Sequence, residues 1–329
     1  MKKKRFLMSI SGGRSSAMLA KLLIDTKKLK RVDVVIGGFY VYTKYVNDTE
    51  EYVFVFANTS REKELTLLFM RDIENYWGIK VHWVEAVVDF RKGKGTRHRI
   101  VSFKTAKRKG EVFEEVIEKY GIPNPMFIHC TRELKTAAIR SFLKYIGWGT
   151  WRDYKTIIGY RADEPKRTKL KKLKELNQYW PLWEWGIKKP DVAYFWNRQP
   201  FDLGMYQPKG EEFVDADGNC EGCYKKSDLK LIYQAKSNPS GAEWIREMER
   251  KYQYNTAGRD GEGMPYRFFR DSRTLDEIIE QYPEITSMSI ENIKKLLDDK
   301  SLLEDGASYD LVEQLNCEES CEAFTELED

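Results

Sequence analysis

Several short segments of this sequence place polar and cationic groups where a negatively charged ligand could be held. Ser11-Gly12-Gly13-Arg14-Ser15-Ser16 lies between an apolar run and a helical pattern. Its glycines let the backbone turn tightly, so that several amide N–H groups can point at one spot, at the positive end of the following helix. Three or four charge-assisted hydrogen bonds, at roughly 1.5–3 kcal/mol each, together with the Ser11 and Ser16 hydroxyls, would hold a pyrophosphate. The loop has neither the Lys-Ser/Thr of a Walker A motif nor the spacing of a G-x-G-x-x-G turn. Arg132 and Lys135 fall one turn apart at the start of a helix beside Cys130, so both heads could reach one ligand. Gly159-Tyr160-Arg161-Ala162-Asp163-Glu164 follows an apolar run, where a loop at the carboxyl edge of a sheet carries Arg161 toward bound ligand; a surface salt-bridge cluster is the plainer alternative.

The cysteines are the second source of chemistry. Cys220-Glu221-Gly222-Cys223 sits in a glycine-containing turn that can direct two thiolates to one centre, and alone it admits zinc, an iron–sulfur cluster or a redox dithiol. Cys130 opens a helix about ninety residues earlier, and for it alone a buried, unligated thiol is the common reading. Cys317 and Cys321 stand one helical turn apart in an acidic tail. Five cysteines, an odd number, in a chain without secretory features argue against a disulfide framework and for reduced thiols. Three histidines give Ser-His-Asp chemistry no support: His82 falls in a strand, where packing is the ordinary role, and His98 in a basic loop, where solvation is.

The elements that must carry these groups alternate. Arg5 to Ile10 predicts a buried strand, Ser15 to Thr26 a helix, Tyr52 to Ala57 a central parallel strand, Glu62 to Tyr76 a helix and Val81 to Ala86 a third strand. Val32 to Val46 suggests an inserted hairpin. Arg91 to Gly110 is expected as a basic loop, Glu111 to Lys119 and Thr131 to Tyr145 as helices, and Lys155 to Tyr160 as a strand. This alternation predicts an α/β fold with a doubly wound parallel sheet, whose ligands sit beyond the carboxyl ends of the strands. From Trp180 the pattern changes to aromatic-rich short helices and loops, followed by helices at Ser227 to Ala235 and Gly241 to Tyr252. The chain therefore divides into a nucleotide-binding α/β domain at 1–180, a smaller helical region with the C-x-x-C at 181–300 and an acidic tail at 301–329. With 329 residues and 41% hydrophobic content it can bury one sizeable core and a satellite.

Net charge is only +4, but Arg91 to Lys109 holds nine Lys or Arg and no acid, whereas Ser301 to Asp329 holds ten acids and no base. Such blocks are solvated loops and tails or, for the basic one, a surface facing a polyanion. The basic start precedes an apolar stretch of about five residues, short of the roughly 7–15 of a secretory segment. No run approaches the roughly 20 apolar residues of a membrane span, so a cytoplasmic address is expected.

The loop at Ser11 to Ser16 resembles the PP-loop of the N-type ATP pyrophosphatases and phosphoadenosine phosphosulfate reductases, whose pattern is close to S-G-G-x-D-S, with Ser15 standing where pyrophosphatases usually carry Asp. Ala57-Asn58-Thr59-Ser60-Arg61-Glu62 is similar to the A-N-T-G-x-E segment of that superfamily. Thr105 to Ile117, Pro125 to Leu143, Ile158 to Arg167 and the segment from Pro181 match, in order, segments of phosphoadenosine phosphosulfate reductase-like proteins of bacteria and phages, so the resemblance covers roughly residues 5 to 230. It implies a HUP-like sheet of the PP-loop ATPase type binding an adenine nucleotide, ATP or phosphoadenosine phosphosulfate, with Mg²⁺ as a further cofactor. Asn58 and Arg132 would then lie with Ser11, Gly12, Gly13, Arg14, Ser15 and Ser16 around the nucleotide. Arg161, Asp163 and Lys135 would be the catalytic residues, Arg161 contacting phosphate or sulfate with Asp163 and Glu164 orienting it.

The cysteines resemble those of adenylylsulfate reductase-type enzymes, which hold a 4Fe-4S cluster, with His129-Cys130 where those enzymes have adjacent cysteines. Cys130, Cys220 and Cys223 would be ligands, Cys317 or Cys321 would supply the missing one, and a three-cysteine cluster would instead resemble tRNA 2-thiolation enzymes. The chain has no E-C-G-L-H segment, the usual carrier of the reductases' nucleophilic cysteine. Three classes of activity follow: a sulfonucleotide reductase-like enzyme with a thiol reductant, an ATP pyrophosphatase that adenylates tRNA, DNA or a small molecule for thiolation, and a nucleotide-binding module without turnover.

Overall fold

The computed structural model describes residues 3–124, 127–164, 177–206, 220–255, 267 and 273–298. Pro125, Pro165 to Arg167, Cys317, Cys321 and the acidic tail lie outside the described residues.

Strand β1 (Lys4–Ser9) is followed by helix α1 (Arg14–Thr26), the antiparallel hairpin β2 (Lys30–Ile36) and β3 (Phe39–Val46), strand β4 (Glu50–Ala57) and helix α2 (Glu64–Trp77). Next come β5 (His82–Val87), β6 (Arg97–Val101) and helix α3 (Glu111–Tyr120). A π-helix (Cys130–Ala137) runs into α4 (Ala138–Tyr145), and β7 (Lys155–Ile157) and β8 (Gln178–Tyr179) complete the sheet. Short helices α5 (Pro181–Glu184) and α6 (Lys189–Trp196) precede α7 (Asp228–Ser237), α8 (Pro239–Tyr252), α9 (Leu275–Gln281), α10 (Pro283–Ser287) and α11 (Ile290–Asp298).

Five strands are mutually parallel, in the spatial order β5-β4-β1-β7-β8. The sheet as a whole is mixed, because the hairpin and strand β6 add antiparallel pairings to the parallel strands. The inserted hairpin enters through β3, antiparallel to the start of β4 at Tyr45↔Tyr52 and Val46↔Glu51, while β5 takes the same edge farther along at Val55↔His82. The basic segment is not all loop: Arg97 to Val101 forms β6, antiparallel to β5. Its strand character is hidden because Arg97 and Arg99 occupy the alternating polar positions, and Arg99 gains its partner, Glu85, only across the strand pair at 2.8 Å. His98, expected in solvent, is half-buried on this strand with Nδ1 2.8 Å from Ser141 Oγ. The helix expected over Thr131 to Tyr145 is likewise two kinds of helix, since Cys130 to Ala137 is π, a form concentrated at functional sites, and Ala138 to Tyr145 is α.

Period-two alternation splits the strand residues between two buried faces. Leu7, Val53, Val55, Val84 and Ala86 join one core with residues of α3, α4, α7 and α8; Phe6, Met8, Phe54, Phe56 and Trp83 join the other with α1, α2 and the aromatic segment through Trp196 and Phe201. Burial on both faces explains why β4 is apolar throughout. The first core runs without a break into α7, α8 and α9, so those helices pack as part of the same body as the sheet.

Because the five strands point one way, the segments that follow them meet at one edge. The order turns between β1 and β7, the position at which doubly wound sheets open a crevice beyond their carboxyl ends. Helix α3 lies along this edge: Ser60, just past β4, accepts from the backbone N–H groups of Val112 and Phe113, and Lys119 at the far end donates to the carbonyls of Asp89 and Lys94 beyond β5. Tyr120 then stacks on His129, which brings the start of the π-helix to the same edge. No helix among the described residues is long and apolar enough to cross a membrane.

Candidate functional site

The segment after β1 is held by its own hydroxyls. Ser16 is buried; its Oγ accepts from Ser11 N at 3.2 Å, lies 3.1 Å from Ser11 Oγ and donates to the Gly13 carbonyl at 3.1 Å. Ser16 therefore braces the turn. Gly12 has φ +85°, and a Cβ there would fall 2.5 Å from Thr66 Cγ2, so the chain can pass only as glycine. Gly13 is the N-cap of α1 and offers no side-chain cap, and the first turn holds no acid. The positive end of α1 therefore faces this turn with no side-chain cap and no first-turn carboxylate against it. Ser11, Gly13 and Ser15 remain half-exposed beside it.

Arg14 does not face this turn. Its guanidinium makes a two-pronged pair with Asp202, with Nε 2.7 Å from Oδ1, and its carbonyl accepts from the Trp196 indole at 3.1 Å. Asp202 and Trp196 carry no local signal of this role, since they come nearly two hundred residues later in the chain. They fix the start of α1 from the side of the aromatic segment.

The segment after β7 closes on the same turn. A Cβ on Gly159 would lie 3.1 Å from Ser16 Cα and 3.2 Å from Ser16 N, so this backbone passes directly against the start of α1. Two residues on, Arg161 points its Nη1 at Ser15 Oγ, 3.4 Å away, while its Nε donates to Asp163 at 2.9 Å. Glu164 accepts from the Arg161 backbone N–H at 2.8 Å, and Asp163 also accepts from the backbone of Lys189 at 2.9 Å. Burial works to raise the Asp163 carboxyl, but the Lys189 N–H and the Arg161 charge outweigh it and hold it below the usual carboxylate range. An ionised Asp163 orients Arg161. The structure therefore brings Ser11, Gly12, Gly13, Ser15, Ser16, Arg161, Asp163 and Glu164 into one cluster.

Other residues singled out in the sequence have contacts of their own. Asn58 is fully buried, with its amide donating to Glu85 at 2.7 Å and to the Lys107 carbonyl at 2.8 Å, so it ties β4 to the 102–110 segment. Arg132 donates to Glu133 at 2.9 Å and to His129 Nδ1 at 3.1 Å, and Lys135 is buried on the π-helix. Burial, then the Arg132 charge, pushes His129 down to about 4, so it is a neutral acceptor at pH 7. His82 is a core residue, its Nε2 3.1 Å from the backbone N–H of Thr43, and burial pushes it down to about 4.

Cys130, Cys220 and Cys223 are not in disulfides. Cys220 is buried against the segment after β4, its Sγ 3.3 Å from Thr59 Oγ1 and 3.4 Å from Glu62 Oε1. Among the described residues no three His, Cys, Asp or Glu gather into a group that could hold a metal ion. The donor set on which the cluster expectation rests is therefore not assembled by Cys130, Cys220 and Cys223 alone.

No model of a known protein family matches the chain, and no solved structure matches it. Over 328 residues the chain is 26% identical to a protein of Escherichia phage lambda described as an "Uncharacterized nin region protein ORF290", an alignment that takes in 97% of this chain and 94% of that one. The likeness spans nearly the whole of both chains, so the α/β sheet, the segments after β1 and β7 and the C-x-x-C all fall within the aligned length.

Proposed function

We propose that this chain is an enzyme of the phosphoadenosine phosphosulfate reductase-like, PP-loop type, which binds the phosphates of an adenine nucleotide in the crevice between β1 and β7 and serves sulfur-related chemistry. The observation that carries the reading is the meeting of Arg161 with Ser15 at the N-terminus of α1. A phosphate or sulfate group there would replace Ser15 as the acceptor of Arg161 and sit at the positive end of the helix. Charge-assisted bonds of this kind are shorter than 3.4 Å and about twice as strong as neutral ones. Asp163 and Glu164 hold Arg161 aimed before the ligand arrives, so less order has to be imposed on binding. The parallel-strand order supports a HUP-like sheet, for which the segment after the first strand is the ordinary phosphate site. Mg²⁺ would enter with the nucleotide phosphates.

Calorimetric titration with ATP, adenosine 5'-phosphosulfate and phosphoadenosine phosphosulfate, followed by assays for released pyrophosphate and sulfite, tests this. Pyrophosphate identifies an adenylating enzyme, and sulfite identifies the reductase reaction. Binding without either product leaves a nucleotide-binding module and sinks the enzymatic claim.

A second reading, adenylation of a tRNA or DNA acceptor, draws on one observation. Around β6, Lys92, Lys94, Arg97, Lys104, Lys107 and Lys109 are exposed, although Arg91, Arg99 and Arg108 are already paired with Asp89, Glu85 and Glu64. Exposed cations on an edge strand suit a phosphate backbone, and such binding weakens steeply with salt. Nucleic-acid affinity indifferent to salt would count against it.

A further inference from the structure

The C-x-x-C pair sits in a setting that the nucleotide reading does not use. Glu221 and Gly222 form the turn between Cys220 and Cys223, with Gly222 at φ +63° and so close to Ile245 that a Cβ would fall 2.3 Å from its Cδ1. The ends of such a turn lie within about 7 Å of each other at Cα, which overlaps the roughly 4.4–6.8 Å that a disulfide requires. Cys220 is buried and Cys223 half-buried, so the two thiols differ in access.

The surroundings of Cys220 fix its sulfur against the segment after β4. Residues Glu62 and Cys220 pair as an antiparallel bridge, and the Glu221 N–H donates to the Arg61 carbonyl at 2.9 Å. The Glu62 carboxylate, held by the Thr59 N–H at 2.9 Å and the Thr59 hydroxyl at 2.8 Å, presents Oε1 to the sulfur at 3.4 Å. Next to it is a buried guanidinium. Arg61 is 6% exposed, lies 4.3 Å above the Trp244 ring, pairs with Glu221 at 3.3 Å, and leaves its Nε without a hydrogen-bond partner. A carboxylate oxygen thus stands within reach of the Cys220 S–H, and the Arg61–Glu221 pair closes the buried side of the turn.

We propose that Cys220 and Cys223 form a reversible dithiol–disulfide couple that exchanges with small thiols and disulfides. In oxidation the more accessible Cys223 thiolate attacks one sulfur of the external disulfide, forming a mixed disulfide and releasing one thiol. Cys220 then attacks the Cys223 sulfur; its proton passes to Glu62 and on to the second departing thiolate. One internal S–S bond is made, one external S–S bond is broken, and the two electrons lost by the pair reduce the external disulfide to two thiols. The oxidised pair has no S–H to give to Glu62, so the hydrogen bonds of Thr59 and Glu62, just past the end of β4, change with redox state. The couple needs no bound nucleotide and stands or falls apart from it.

The test equilibrates the full chain, without oxygen, in glutathione buffers from fully reduced to fully oxidised, blocks remaining thiols by alkylation and maps the peptides by mass. The expected result is a Cys220–Cys223 disulfide, two hydrogen masses lighter, that reverts with dithiothreitol while Cys130 stays alkylated. Cys220→Ser should stop at a glutathione adduct on Cys223. Glu62→Gln should form the same disulfide from that adduct roughly tenfold or more slowly, a readout that loss of fold would not mimic if the adduct itself forms at the normal rate. Both thiols remaining reduced in the most oxidising buffer would overturn the proposal. So would pairing of either with Cys130, Cys317 or Cys321, or zinc or iron that co-purifies with the chain and is lost in the Cys220→Ser and Cys223→Ser variants.

Discussion

Arg161 and Ser15, 146 positions apart in the chain, meet with Nη1 3.4 Å from Oγ where the segments after β1 and β7 come together. Good N–H···O bonds measure about 2.7–3.2 Å, so this one is long and is readily given up to an anionic oxygen. Ser15→Ala should accordingly leave stability within about 0.5 kcal/mol of the parent and weaken nucleotide binding only a few-fold. Thermal unfolding and calorimetry check both figures, and a collapse of either would mean that Ser15 has a larger role than this long bond accounts for.

Gly12 combines a left-handed φ with a 2.5 Å approach to Thr66 Cγ2. Gly12→Ala should destabilise the protein by about 1–3 kcal/mol. Adding Thr66→Ser removes the clashing methyl and should restore part of that loss, the remainder being backbone strain. Urea unfolding of the single and double variants measures the split; no recovery in the double variant would show that sterics at Thr66 do not set the cost.

Much of this arrangement was legible before any coordinates, and the remainder was hidden for physical reasons. Alternating or helical apolar periods announced β1, α1, β4, α2 and β5, because these elements bury whole faces. Residues Arg97 to Val101 concealed β6, since a strand whose polar positions are arginines looks like a charged loop until Glu85 stands opposite. The turn at Ser11 to Ser16 was readable as a glycine bend, but nothing local showed that Ser16 is spent on bracing it or that Arg14 turns away to Asp202. Asn58 reads as a polar residue at a strand end, and only the packing of Glu85 and the Lys107 carbonyl around it shows that its amide is consumed internally. Glu62 and Cys220 illustrate the same limit, since 158 residues separate them.

Glu249 gives the fold a pH dependence. It is buried between α8 and α9, Oε1 has no hydrogen-bond partner, and burial pushes its carboxyl up from 4.5 to about 8 against the smaller pull of the Leu275 N–H. A pKa raised on folding means that the folded state holds its proton more tightly than the unfolded chain does. Its contribution is thus complete below about 4.5 and is lost as pH rises through about 8. Glu249→Gln should flatten the fall in stability between those values by up to a few kcal/mol. Denaturant titrations at pH 5 and pH 8 provide the check, and an unchanged pH slope in the variant would contradict the assignment.

The most direct measurement is the dissociation constant of ATP for the parent chain and for Arg161→Ala, taken at fixed salt with adenosine as the control ligand. Loss of a charge-assisted bond worth roughly 1.5–3 kcal/mol should weaken ATP about tenfold to a hundredfold, with adenosine, which lacks phosphates, unaffected by the substitution and so reporting that the site is still folded. ATP that binds both proteins equally well, or neither, would contradict a phosphate site in the crevice between β1 and β7.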